Sequence, residues 1–193
     1  MLNLLIGYSL AIASTLTVIA IPIKLFVSKN RSGVSYFTST LAFYSMVCWA
    51  GYTMDLGDIP AYFSSLGPLV CWALSLVAMA FTYETRKVYW LILSLLIITS
   101  SLVVVRLNPS LLGVLAVGGS LCWSLPQLRK AINAHDLSGV SSTGYALIFL
   151  ENLGWVVYAL LTKHYAYALA PLVQGPSALY IAFKARRQLR ANS

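Results

Sequence analysis

One carboxylate stands in the middle of a long apolar run, in Phe149-Leu150-Glu151-Asn152-Leu153-Gly154-Trp155. If that run crosses a bilayer, an acid at its centre costs about 2.5–3.5 kcal/mol on insertion scales. Glu151 must then be neutral, paired or turned toward a protein interior, and such a group is suited to binding a proton. Asn152 adds amide donors and an acceptor. Trp155 lies four residues on, so on a helix it shares a face with Glu151. An indole can stack on a flat ligand and donate one hydrogen bond. Together these three could bind a small polar solute. The structural alternative is an interhelical hydrogen bond, worth about 0.6 kcal/mol on average in membranes, beside a tryptophan of the interfacial belt. Gln174 is a further polar candidate in an apolar run, next to Gly175-Pro176. That pair would break a helix locally and open carbonyls to a cavity.

The elements that position these residues follow from composition. The chain has 193 residues, of which 59% are hydrophobic and 9% charged, with a mean hydropathy of +0.79. Soluble domains are about one quarter charged, so lipid must be the solvent here. Apolar runs cover 4–27, 34–54, 60–83, 88–105, 109–131, 141–162 and 165–184. Each is long enough to span as a helix, and none alternates with period two, which argues against a β-barrel. The fold class expected is an all-α membrane protein with seven transmembrane helices. Met1 to about Phe26 has no charged leader and no cleavage signal, and reads as a retained helix.

Lysines and arginines sort by loop. Lys24, Lys29, Arg31, Arg86, Lys87, Arg129, Lys130, Lys184, Arg186, Arg187 and Arg190 fall on one side, and only Arg106 and Lys163 on the other. The positive-inside rule then puts the N-terminus outside and the C-terminus in the cytoplasm. The net charge of +8 is explained by these loops, and no nucleic-acid partner is expected.

One unit is written twice. Gly33-Val34-Ser35 returns as Gly139-Val140-Ser141. Pro22 and Pro126 lie upstream, Trp49 and Trp155 follow each glycine by 16 residues, and Tyr52 and Tyr158 stand three further on. Gly67-Pro68-Leu69-Val70 resembles Ala170-Pro171-Leu172-Val173, which would set Gln174 opposite Cys71. The repeat gives three helices, a linker helix and three more (3+1+3). The expected parts are 1–87, a linker at 88–106, and 107–193. The odd helix restores orientation, so the two bundles are parallel, with a site between them. Ser45 and Met46 stand where the second copy has Glu151 and Asn152, so the halves are chemically unequal.

The other reactive residues point nowhere. Cys48, Cys71 and Cys122 sit in apolar runs without metal-ligand spacing and read as small buried hydrophobes. His135 and His164 lie in loops without companion ligands. No phosphate loop or nucleophile–base pair is present. No enzyme, metal or cofactor is expected.

Leu125-Pro126-Gln127-Leu128-Arg129-Lys130, followed by Leu137-Ser138-Gly139-Val140-Ser141, resembles the PQ-loop and SWEET transporter superfamily. So does Trp155-Val156-Val157-Tyr158, and the likeness runs over the whole chain. It implies a carrier for a small polar solute, sugar or similar, working by alternating access as a facilitative uniporter in the plasma or inner membrane. It also implies that Pro22 and Pro126 are bending points and that Trp49 and Trp155 line a pocket; Ser45, the counterpart of Glu151, joins the candidate binding residues. Gln127 would sit at the cytoplasmic gate or cap its helix. Oligomers of this chain are compatible with the family. Departures are visible. Ile21-Pro22-Ile23-Lys24 lacks the glutamine, and Phe37 and Thr143 lie where the second helices usually carry proline. The third helices show Leu69 after Pro68 and Leu172 after Pro171, or Ser177 after Pro176, where sugar carriers show asparagine. Two other functions follow from relatives: a proton-coupled carrier of amino acids or similar metabolites with Glu151 as proton site, and a receptor that binds without transport.

Overall fold

The computed structural model describes residues 1–28, 36–80, 94 and 95, 98 and 99, 108–133 and 142–191. Six helices run through them: α1 (Leu2–Ser28), α2 (Tyr36–Asp55), α3 (Ile59–Ala80), α4 (Pro109–Asn133), α5 (Ser142–Thr162) and α6 (Ala166–Ala191). No strand occurs among the described residues. Most of the expected linker span lies outside them. Ser94, Leu95, Ile98 and Thr99 are helical, and the Thr99 hydroxyl donates to the Leu95 carbonyl at 3.0 Å, one helical turn back.

Leu2–Val27, Ile59–Met79 and Ser142–Thr162 are long and apolar enough to cross a membrane, and Pro109–Leu125 is a shorter apolar stretch. At about 1.5 Å per residue, the 21-residue spans Ile59–Met79 and Ser142–Thr162 match a hydrocarbon core of roughly 30 Å. Their outer faces carry exposed apolar residues three or four apart: Ile12, Leu16, Ile19 and Ile23 on α1, and Leu150, Leu153, Val157 and Leu160 on α5. Such apolar stripes at helical spacing suit lipid. One helix outruns its apolar segment. α6 continues to Ala191, past the apolar limit near residue 184, because Ala, Arg, Gln and Leu are strong helix formers whatever their polarity.

The chain divides into two compact units, Gly7–Ser120 and Met1–Ile6 with Leu121–Ser193. In the first, α2 packs along α3. Their connection is a Schellman turn: Asp58 N–H reaches Thr53 O and Gly57 N–H reaches Met54 O, both at 3.1 Å, with Gly57 at φ 68°. Asp58 then caps α3, its carboxylate accepting from Ala61 N–H at 3.2 Å. Gly67 lets α3 approach α1, since a Cβ there would overlap Thr15 Oγ1. Leu25, Leu76, Ala78 and Met79 form a buried cluster at the other end, with Ile21 and Phe43 against it.

In the second unit α5 packs along α6. The αL residue of their turn is Lys163, at φ 61°. Ala131, Ile181 and Ala185 are buried together against Tyr145. Lys184 Nζ donates to the Ala131 and Ile132 carbonyls, both at 2.8 Å. A cation there satisfies the last carbonyls of α4 and complements its dipole.

Candidate functional site

The first copy's tryptophan motif lies on α2, against the first part of α4. Ser45 has no exposed surface. Its hydroxyl donates to Ala116 O at 3.0 Å and lies 2.8 Å from Ser120 Oγ. Trp49 Nε1–H donates to Ser120 Oγ at 3.0 Å. Trp49 also meets Tyr52 edge to face, with ring centroids 6.0 Å apart. Cys48, Leu112 and Ala116 are fully buried beside it, with Tyr44, Tyr52 and Leu115 packed around them. Ser45 and Trp49 are thus brought together through a third residue, Ser120, which the repeat pattern does not mark. The signal that could have found it is the run Gly113, Ala116, Gly119 and Ser120. Small residues at three- to four-residue spacing let membrane helices come close.

The second copy is built differently. Trp155 on α5 is half-buried and meets Tyr158 at 5.6 Å and Tyr167 at 6.1 Å, both edge to face. Tyr158 stacks on Tyr167, and His164 lies over Tyr167 at 5.6 Å. Tyr158 and Tyr167 are almost fully buried. Asn152 is buried in the seam with α6, where a Cβ on Gly175 would sit 3.5 Å from its Cβ. Its amide nitrogen donates to Ile148 O, one turn back, at 2.7 Å. Glu151, one residue round the helix, is half-buried, and so is Gln174 beside Gly175.

The prolines sit inside helices. Pro22 is buried, and α1 continues six residues past it to Ser28. α4 runs seven residues past Pro126 to Asn133. The side chains of Pro126 and Gln127 lie outside the described ones, so the gate or cap role of Gln127 does too. A proline inside a helix removes the bond to the carbonyl four residues earlier, here that of Val18 and that of Cys122. Neither proline ends its helix, so each leaves an internal weak point. α6 carries two more, Pro171 and Pro176.

The turns correct one alignment. A spacing of 106 residues relates Gly33 to Gly139 and Trp49 to Trp155, and also the two αL residues, Gly57 and Lys163. Both following helices run on unbroken. Three residues cannot be absorbed in a regular helix, so Gly67-Pro68-Leu69-Val70 and Ala170-Pro171-Leu172-Val173 are out of step. Gln174 stands opposite Pro68, not Cys71. Ser177 stands opposite Cys71, and the Ser177 hydroxyl donates to Val173 O at 2.7 Å.

No family model matches the sequence. No curated protein matches it either. Among solved structures the chain is similar to a eukaryotic SWEET transporter, with a TM-score of 0.77 at 12% identity. The match covers 96% of this chain and 100% of that one. The chain has the SWEET fold. At this identity the likeness fixes the path of the backbone and leaves the site to be argued from its own residues. The SWEET fold accounts for the helical architecture of the described residues.

Proposed function

We propose that this chain is a membrane carrier for a small polar solute, sugar or similar, working by alternating access without an energy source of its own. The observation that carries the reading is the SWEET fold over nearly the whole chain. The internal prolines support it, because a carrier must bend its helices between two states. On this reading 1–87 and 107–193 are parallel three-helix repeats around a linker at 88–106, with the N-terminus outside the plasma or inner membrane. Trp155, Asn152, Glu151, Trp49, Gln174 and Ser45 form the solute-binding set, and Pro22, Pro126 and Gln127 the bending and gating set. Asn152 and Ser45 are buried; Ser45 ties α2, which carries Trp49, to α4, and Asn152 bonds within its own helix. The PQ-loop resemblance adds that oligomers of the chain are compatible with this role.

The test is counterflow of a panel of radiolabelled sugars and amino acids into proteoliposomes. Wild type should exchange at least one panel solute, and Trp155→Ala should exchange it at least about tenfold more slowly, a loss of about 1.4 kcal/mol. Proton coupling is a second reading, favoured by the half-buried Glu151 in mid-helix. It requires uptake to follow an imposed pH gradient and Glu151→Gln to abolish that response. A Glu151→Gln carrier that still follows the gradient would end it.

A further inference from the structure

Ser120 belongs to neither repeated motif, yet two chemically distinct side chains converge on it. A hydroxyl has one proton and two lone pairs. With Ser45 giving its proton to Ala116 O, the proton between the serines is Ser120's. Ser120 then keeps a lone pair for the indole of Trp49. The chain runs in one direction, Trp49 N–H to Ser120, Ser120 O–H to Ser45, Ser45 O–H to a carbonyl of α4. Ser45 and Ser120 are 0% and 3% exposed. Gly119 sets the distance, because a Cβ there would stand 3.0 Å from Ser45 Cβ and 3.3 Å from its Oγ.

Such a joint adds little stability. Interhelical hydrogen bonds in membranes average about 0.6 kcal/mol, and alanine pairs would pack as closely. What the joint does supply is direction. Tryptophan has a single polar donor, and here it is committed to Ser120. We infer that Ser120 is a positioning residue, holding the indole nitrogen of Trp49 so that this tryptophan offers a solute its aromatic face and not its N–H. The inference rests on the carrier reading for the solute, and on the hydrogen-bonded chain alone for the fixing of Trp49.

The experiment uses the full chain in lipid nanodiscs with 5-fluorotryptophan, whose Trp49 resonance is assigned by Trp49→Phe, and glucose counterflow in proteoliposomes as the solute probe. Ser120→Ala should move the Trp49 resonance and leave that of Trp155 in place. It should raise the KM for glucose about fivefold with the maximal rate held within about twofold, a loss of binding and not of turnover. On a Trp49→Phe background the same substitution should add less than about 1.5-fold, since the two act through one bond. Ser45→Ala, which removes the acceptor that orders Ser120, repeats the cycle where Ser120→Ala fails to fold. An unmoved Trp49 resonance overturns the inference. So does a KM effect of Ser120→Ala that is undiminished with phenylalanine at position 49. A moved resonance in a chain that exchanges no glucose supports the fixing of Trp49 and counts against glucose as the solute.

Discussion

The two tryptophan motifs share an edge-to-face contact with the tyrosine three residues on and differ in what else holds the ring. Trp49 is fixed by its nitrogen, on a serine of α4. Trp155 is held by its ring, among Tyr158 and Tyr167. The neighbouring polar position is a buried serine in one copy and a half-buried glutamate in the other. The turns repeat the lesson. Gly57 and Lys163 share a backbone conformation, and only the first has the residue type that takes it without strain. The two copies share a backbone conformation at the turn and differ in the chemistry around the tryptophan.

Exchanging residues between copies should break this comparison in a graded way. The largest effect is expected at Gly67, whose counterpart 106 residues on is the exposed Val173. Gly67→Val drives a side chain into Thr15 and should cost about 3 kcal/mol. Val173→Gly should cost only about 0.5 kcal/mol, the helix-propensity difference between valine and glycine. Thermal unfolding in detergent measures both, and equal losses would mean that α1 and α3 are not in close contact at Gly67.

The prolines come next. Pro22→Ala and Pro126→Ala should each slow counterflow at least about tenfold, while unfolding temperatures hold or rise because a helical hydrogen bond is restored. Wild-type flux in either variant removes the bending role. The turn exchange is smaller. Gly57→Lys should destabilise by about 1 kcal/mol and Lys163→Gly should stabilise by up to about the same, the cost of a non-glycine residue in the left-handed region. Smallest is His164→Asp, which gives α6 the capping carboxylate that Asp58 gives α3. A gain of about 0.5–1 kcal/mol is expected, read as a rise in melting temperature.

The helices were legible because lipid demands long apolar runs, and the expected spans 34–54 and 141–162 match Tyr36–Asp55 and Ser142–Thr162 closely. Glu151 was legible for the same reason, since a carboxylate stands out in an apolar field. Ser120 was not. A serine in a Gly- and Ala-rich stretch resembles any small packing residue, and its role exists only where α4 meets α2. Pro-Leu-Val is a common apolar string and sets α6 three residues out of step, whereas the αL turn that fixes register is a property of φ. Lys163 gives no sequence hint of a positive φ, as a glycine would have done.

The central claim is that the two unlike copies together carry a polar solute across the membrane. Counterflow in proteoliposomes loaded with each panel solute, compared between wild type and Trp155→Ala, tests it most directly. The account expects exchange of at least one solute by wild type and its loss in the variant. Binding of a solute with no exchange would contradict it, and so would exchange that is indifferent to Trp155.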